Sequence, residues 1–174
     1  MKEPNFFIVG APKCGTTSLA RWLAQHPEVY MSPVKEPHFF SRDFALGYSH
    51  DEVEYLSLFE DADTSSKAVG EASVYYLFSA LAITEIERRI DEPKYIVMVR
   101  NPVEMVQSFH WQAVYTGDED VQDFGEAWRL EEIRENLLIG LDDGVVRLRH
   151  VQRHPAAVGV HHHLHRVANV LRAV

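Results

Sequence analysis

Residues 5–20 of the chain, NFFIVGAPKCGTTSLA, decide its fold. They begin with a short apolar run, Phe6 to Val9, whose aromatic and β-branched members predict a strand buried on both faces. Gly10 and Gly15 then permit sharp turns of the backbone, and apolar residues follow at helical spacing until Pro27. The pattern predicts a strand, a glycine-framed loop and a helix, in that order.

The loop between the two glycines predicts an anion-binding site. The first helical turn, Gly15 to Ser18, directs backbone N–H groups and the positive end of the helix dipole towards the loop. The spacing is similar to the Walker A motif, Gly-x-x-x-x-Gly-Lys-Ser/Thr, with Thr17 at the Ser/Thr position. Thr16, however, stands at the lysine position, and the lysine of this loop is Lys13.

A second apolar strand is predicted from Tyr95 onward, and it ends in Arg100. Walker ATPases place an acidic residue that helps to hold Mg²⁺ at the end of such a strand. An arginine repels a metal ion and binds a phosphate through charge-assisted hydrogen bonds worth about 1.5–3 kcal/mol each. We therefore expect two phosphate positions with no metal ion between them.

A helix-start signal follows Arg100. Asn101 suits the N-cap position, and Pro102 suits the first position of the helix. Ser108 lies two turns further on, where its hydroxyl could join Arg100 on one phosphate. The alternative is that Arg100 pairs with a surface carboxylate and that Ser108 is an incidental helix serine.

Taken together, these blocks resemble the sulfotransferases that use 3′-phosphoadenosine 5′-phosphosulfate (PAPS). Residues 10–18 resemble the 5′-phosphosulfate loop of that family, and residues 99–102 with Ser108 resemble its 3′-phosphate site. The segment KEPHFF, residues 35–40, resembles a block of the branch that sulfates glycosaminoglycans and related bacterial acceptors. The resemblance extends over residues 5–140. It implies an α/β fold of the P-loop NTPase type, with a parallel sheet flanked by helices, and transfer of a sulfuryl group to a hydroxyl or amine.

The resemblance also implies site residues. The donor-binding residues would be Lys13, Cys14, Gly15, Thr16, Thr17, Ser18, Arg100 and Ser108. The catalytic residues would be Lys13, which stabilises the leaving phosphate, and Glu36, which acts as general base. PAPS would be the co-substrate, and no metal site is expected.

Two questions about residues 35–40 stay open in the sequence. His38 competes with Glu36 as the base, because an imidazole with a free pKa of about 6.5 suits neutral pH, whereas a glutamate needs an apolar surrounding. From spacing alone, Lys35 and Glu36 also fit a solvated loop pair.

A segment that starts at Glu71 resembles the Glu-Lys-Ser-Pro segment of glycosaminoglycan sulfotransferases. Ala72 stands where those enzymes carry a lysine that contacts the acceptor, and this weakens the case for a heparan-like acceptor. Glu71 and Tyr76 could line the acceptor pocket, or Tyr76 could pack in the core. Helical periodicity over residues 51–60 predicts a helix that covers the sheet, with Val53, Leu56 and Phe59 on one face.

Composition limits the class of protein. With 174 residues and 46% hydrophobic residues, the chain is expected to form one soluble domain with one core. No apolar run is long enough to span a bilayer and the first residues do not form a signal peptide, so we expect a cytoplasmic protein. The net charge of −9 argues against nucleic acid or a membrane surface as partner, leaving a small-molecule or carbohydrate acceptor. The single cysteine, Cys14, is either a thiol with a pKa lowered by positive potential or a small residue that fills the loop.

The C-terminal region differs from the rest of the chain. Residues 145–174 contain no Asp, Glu, Lys, Ser or Thr, and they are rich in Val, Arg and His. We therefore divide the chain into a PAPS-binding domain, residues 1–144, and an atypical basic tail, residues 145–174, that is not a domain. The hypothesis is a truncated or frame-shifted member, in which the C-terminal part of the fold is incomplete. The alternative function is then a catalytically inactive module that still binds 3′,5′-ADP or PAPS.

Overall fold

The computed structural model describes residues 2–44 and 51–130. The chain divides into two compact units, with the boundary between Asn101 and Pro102. The predicted boundary at residue 144 and the tail over residues 145–174 lie outside the described residues, so the division into residues 1–144 and 145–174 stays a prediction.

A parallel four-stranded sheet forms the centre of the first unit. Its strands are β1 (Phe6–Gly10), β2 (Val29–Met31), β3 (Ala68–Ala72) and β4 (Lys94–Val97). Their order is β2-β3-β1-β4, and all three pairings are parallel. Every residue of β1 is buried, as its unbroken apolar run predicts. The α/β fold expected from the sequence is confirmed.

Within residues 2–44 and 51–101, three helices and one 3₁₀ turn accompany this sheet. They are α1 (Thr16–Leu23), α2 (Glu52–Ser57), α3 (Ala82–Arg89) and the 3₁₀ turn Tyr76–Phe78. Helix α1 begins after Gly15, which adopts a left-handed conformation, and packs against β1, β2 and β3. Helix α2 begins at Asp51, whose carboxylate accepts a hydrogen bond of 2.9 Å from the Glu54 amide.

The core of the first unit lies around β1 and β3. Its members are Phe7, Val9, Phe39, Phe40, Tyr55, Phe59, Val69, Tyr76, Ala82, Ile86 and Ile90. The predicted buried face of α2 is wrong at Val53, which is 78% exposed, while Tyr55 is buried in its place. The tyrosine is drawn inward because its ring stacks on Phe39 and its hydroxyl reaches a buried acceptor.

The second unit begins with α4 (Pro102–Thr116), which starts at the proline as the sequence predicts. Met105, Val106, Phe109 and His110 are its buried residues. The Nε2 atom of His110 lies 3.0 Å from the carbonyl oxygen of Gln122. Residues 124–130 are again helical.

In residues 2–44 and 51–130, no helix combines the length and the apolar character that crossing a bilayer requires. The cytoplasmic location stays a prediction.

Candidate functional site

The loop after β1 and the segment after β4 lie side by side at the carboxyl edge of the sheet. The Ala11 amide donates to the Met98 carbonyl over 2.8 Å, and the Met98 amide donates to the Gly10 carbonyl over 2.7 Å. The chain runs from β1 to β2 on one side and later crosses to β4 on the other. Open parallel sheets bind ligands beyond the carboxyl ends of their strands, at the point where the winding reverses, and the loop after β1 lies there.

Positive φ angles give the loop its tight curvature. Gly10, Lys13 and Gly15 have φ angles of 150°, 62° and 86°. A Cβ atom on Gly10 would lie 2.8 Å from the Val74 carbonyl oxygen, so the close approach of this loop to the segment after β3 requires glycine. Left-handed residues of this kind turn successive N–H groups towards one concave surface, which suits an anion.

The two predicted cationic residues meet at this loop. An Nη1 hydrogen of Arg100 points to the backbone carbonyl oxygen of Lys13 over 3.4 Å. The structure therefore brings the end of the β4 segment to the residue that carries the loop lysine. Ser108 is partly buried on α4 of the second unit, and its role stays a prediction.

The remaining loop residues differ in exposure. Thr16 is buried, whereas Thr17 and Ser18 are exposed in the first turn of α1. Cys14 is buried, and its thiol donates to the Pro12 carbonyl over 3.4 Å. Burial raises the pKa of the Cys14 thiol, and the nearby charge of Arg100 opposes this only in part. Of the two interpretations, the small residue that fills the loop fits and the low-pKa thiol is wrong.

A second polar cluster contains Lys35, Glu36 and His38. The Lys35 ammonium contacts Glu36 Oε1, and His38 Nε2 lies 3.1 Å from Glu36 Oε2. Glu36 Oε2 also accepts a hydrogen bond of 2.9 Å from the Val74 amide. The Glu36 side chain is 21% exposed and that of His38 is 3% exposed. Burial lowers the pKa of Lys35 to about 8, although the charge of Glu71 opposes this. The pair is thus partly buried and anchored to the segment after β3, and it is not a solvated loop pair.

Beneath this cluster, Glu71 on β3 is completely buried. It accepts hydrogen bonds from Ser73 Oγ and Tyr76 Oη, both over 2.7 Å, and from Tyr55 Oη over 3.2 Å. Burial raises the pKa of Glu71 to about 7, against the opposing effect of these hydroxyls and of Lys35. Tyr76 is also fully buried, so packing describes Glu71 and Tyr76 better than lining a pocket.

Sequence reasoning missed this hydrogen-bonded arrangement. The available signal was a glutamate inside an apolar strand, followed by a serine at Ser73 and a tyrosine at Tyr76. A buried carboxylate needs several donors, and these residues supply them.

Across residues 2–44 and 51–130, no group of His, Cys, Asp and Glu side chains is arranged to hold a metal ion.

Known proteins are similar to parts of this chain in sequence and in fold. Residues 4–78 match the Sulfotransferase family. Carbohydrate sulfotransferase 15 of Rattus norvegicus is 32% identical over 147 residues, with 60% of this chain and 26% of the rat protein covered. Membrane-associated sulfotransferase kil1 of Dictyostelium discoideum is 31% identical over 104 residues, with 58% of this chain and 21% of that protein covered. The chain thus spans about a quarter of the length of these curated relatives.

A solved structure supports the same relationship. The crystal structure of a sulfotransferase from Alicyclobacillus acidocaldarius superposes with a TM-score of 0.70 at 40% sequence identity. The match covers 79% of this chain and 60% of the bacterial one. The resemblance to sulfotransferases stated from the sequence is confirmed by the family match over residues 4–78 and by the similarity to these relatives and to the bacterial structure.

Proposed function

We propose that the protein transfers a sulfuryl group from PAPS to a hydroxyl or amine of an acceptor. The observation that carries the proposal is the loop after β1, in which the Lys13 backbone carbonyl accepts a hydrogen bond from Arg100 just before the first turn of α1. This arrangement offers two cations and several backbone N–H groups to an anionic ligand.

The donor half of the reaction uses this loop. Residues 13–18 bind the 5′-phosphosulfate, and Arg100 binds the 3′-phosphate. As the acceptor atom bonds to sulfur, the bond from sulfur to the bridging phosphate oxygen breaks and 3′,5′-ADP leaves. Lys13 stabilises the negative charge that grows on that oxygen, because a fixed cation there favours the transition state over the ground state.

The acceptor half uses the loop after β2. Glu36 takes the proton of the acceptor as its oxygen or nitrogen attacks sulfur. Its exposure supports this role, because Glu36 is reachable from solvent whereas His38 is almost fully buried. His38 then supports the carboxylate from below, through the 3.1 Å contact between Nε2 and Oε2.

A carbohydrate is the acceptor class that the relatives support best. The matched rat relative is named a carbohydrate sulfotransferase. Ala72 is buried in this chain, which agrees with an acceptor site unlike that of heparan sulfotransferases. A small-molecule hydroxyl is the alternative acceptor.

Sulfate transfer from ³⁵S-labelled PAPS to a panel of oligosaccharides and phenols tests the proposal. We expect Lys13→Ala to lower kcat by about 100- to 1,000-fold, the usual effect of removing one preorganised charge-stabilising group. Lys94→Ala is the matched control, since Lys94 lies at the opposite end of β4 and is well exposed. Equal activity of wild type and Lys13→Ala would contradict the proposed role.

The second candidate is a module that binds 3′,5′-ADP or PAPS without turnover. It is favoured by the hydrogen bonds that join the loop after β1 to Met98 and Arg100, because these contacts do not depend on an acceptor. Calorimetric binding of 3′,5′-ADP without sulfate transfer to any acceptor of the panel would select this candidate.

A further inference from the structure

The loop that carries Glu36 is held through alternating backbone amides. The amides of Glu36, His38 and Phe40 donate to the Ala72 carbonyl, to Ser73 Oγ and to Tyr76 Oη. These distances are 2.8, 3.0 and 3.3 Å. Two of the three acceptors are therefore hydroxyl groups.

The orientation of those hydroxyls depends on Glu71. A hydroxyl has one hydrogen and two lone pairs. The hydrogens of Ser73 and Tyr76 both go to the Glu71 carboxylate, which leaves their lone pairs for the loop amides. Above its pKa of about 7, the Glu71 carboxylate is ionised and only accepts hydrogen bonds, so in that pH range it fixes both hydroxyls in this direction.

The backbone of the Glu36 loop adopts an unfavourable conformation that these hydrogen bonds help to hold. Glu36 and His38 have φ angles of 62° and 52°, a left-handed conformation that non-glycine residues adopt only when surrounding contacts hold them. The hydrogen bonds from the loop amides to Ser73 and Tyr76 are contacts of this kind. Both of the accepting hydroxyls donate their own hydrogen to Glu71.

From these observations, and resting on the proposed function of Glu36, we propose that Glu71 is a positioning residue that holds the Glu36 loop through the hydroxyls of Ser73 and Tyr76. It does not touch the reacting atoms, because it is completely buried. Its effect on the reaction comes from the place in which it keeps the Glu36 carboxylate.

At pH 8, where the Glu71 carboxylate is ionised, Glu71→Gln is the direct test, since it preserves volume and removes the charge. The amide of glutamine carries donor hydrogens, so at least one of the fixed hydroxyls meets a donor in place of an acceptor. We expect hydrogen exchange of the His38 and Phe40 amides to accelerate by about tenfold or more. We also expect kcat to fall by about 10- to 100-fold with an unchanged KM for PAPS, because only the base is displaced.

Two tyrosine variants form a matched pair that keeps the test decisive if Glu71→Gln does not fold. Tyr76→Phe and Tyr55→Phe each remove one hydroxyl that donates to Glu71 Oε1. Only Tyr76 also accepts a loop amide, whereas Tyr55 contacts the loop through its ring, which stacks on Phe39 at 4.2 Å. We expect Tyr76→Phe to expose the Phe40 amide and lower kcat, and Tyr55→Phe to leave both near wild type.

The outcomes separate the two ideas. Unchanged exchange at His38 and Phe40 in Glu71→Gln, or equal effects of the two tyrosine variants, would overturn the positioning role. A wild-type protein with protected loop amides and no sulfate transfer would overturn the proposed function, while the exchange pattern of the variants would still decide the role of Glu71.

Discussion

Burial changes the protonation of single residues in the first unit. Glu71 is an acid whose pKa is raised to about 7, and Lys35 is a base whose pKa is lowered to about 8, in both cases because burial disfavours the charged form. These two groups attract each other, which reduces both shifts. Their protonation therefore varies close to neutral pH, whereas an exposed glutamate or lysine would titrate far from it.

Glu71 should make the stability of the protein depend on pH. Between about pH 4.5 and 7 the folded state binds a proton that the unfolded state has released, so the free energy of unfolding falls as pH rises through this window. The whole effect is of the order of 3 kcal/mol, and Glu71→Gln should lack it. Urea unfolding of both proteins at pH 5, 6, 7 and 8 measures the difference. Parallel curves for the two proteins would show that Glu71 titrates normally.

The Cys14 thiol should react slowly in the folded protein. It is buried, and its pKa is raised above the ordinary value of 9.0, so little thiolate exists at neutral pH. We expect iodoacetamide to label the native protein at least about tenfold more slowly than the protein in urea. Cys14 is the single cysteine, so the labelling signal has one source. A native thiol that titrates below pH 8 would instead indicate that the positive potential of the loop outweighs burial.

Among the elements, the loop between β1 and α1 carries the strictest steric demands. Gly10 and Gly15 both have positive φ angles, but their surroundings differ. A Cβ on Gly15 would have Met98 Cε at 3.7 Å, an ordinary contact, whereas one on Gly10 would lie 2.8 Å from a backbone carbonyl. The first glycine is thus needed for space and conformation, and the second for conformation alone.

Alanine at each glycine should separate these two demands. We expect Gly15→Ala to cost about 1–2 kcal/mol of stability, the usual cost of a left-handed alanine. Gly10→Ala should lower the stability clearly more, because the Val74 carbonyl, which lies 2.8 Å from the new Cβ, must also move. Urea midpoints of the two variants give the comparison. A smaller cost for Gly10→Ala would contradict the close approach of the two segments.

Elements whose start or type depends on nearby residues were predictable from the sequence. The apolar run at β1, the glycine before α1 and the proline at the start of α4 each act within a few residues, and the structure confirms these elements. The buried face of α2 was not predictable. Tyr55 replaces Val53 in the interior because it bonds to Glu71, sixteen residues away, and periodicity carries no information about such a contact.

The whole molecule carries a net charge of −9, although its proposed ligand is an anion. Long-range attraction therefore cannot supply the affinity, and local contacts of Lys13, Arg100 and backbone N–H groups must. The sequence predicted that Lys13 and Arg100 would each lie at the end of a strand, since both follow apolar runs. It could not give the 3.4 Å contact between Arg100 and the Lys13 carbonyl, which depends on the pairing of β1 with β4.

Ligand binding should stabilise the protein without a metal. We expect 3′,5′-ADP at 100 times its dissociation constant to add about 2.7 kcal/mol and to raise Tm equally in EDTA and in Mg²⁺. Adenosine 5′-phosphate should stabilise less, and Arg100→Ala should abolish the preference for 3′,5′-ADP. Arg88→Ala, an exposed residue of α3, is the matched control. A shift that requires Mg²⁺ would indicate a Walker-type nucleotide site in place of the proposed one.

The strand order also sets when the loop after β1 gains its neighbouring segments during synthesis. Phe6 in the central strand pairs with Gly70 and with Lys94, so β1 has no neighbour until long after it leaves the ribosome. The loop after β1 is translated early. The residues that hydrogen-bond to it, Met98 and Arg100, are translated only at the end of the first unit. Nascent chains that stop before β4 would therefore leave one edge of the apolar strand β1 unpaired, which favours aggregation.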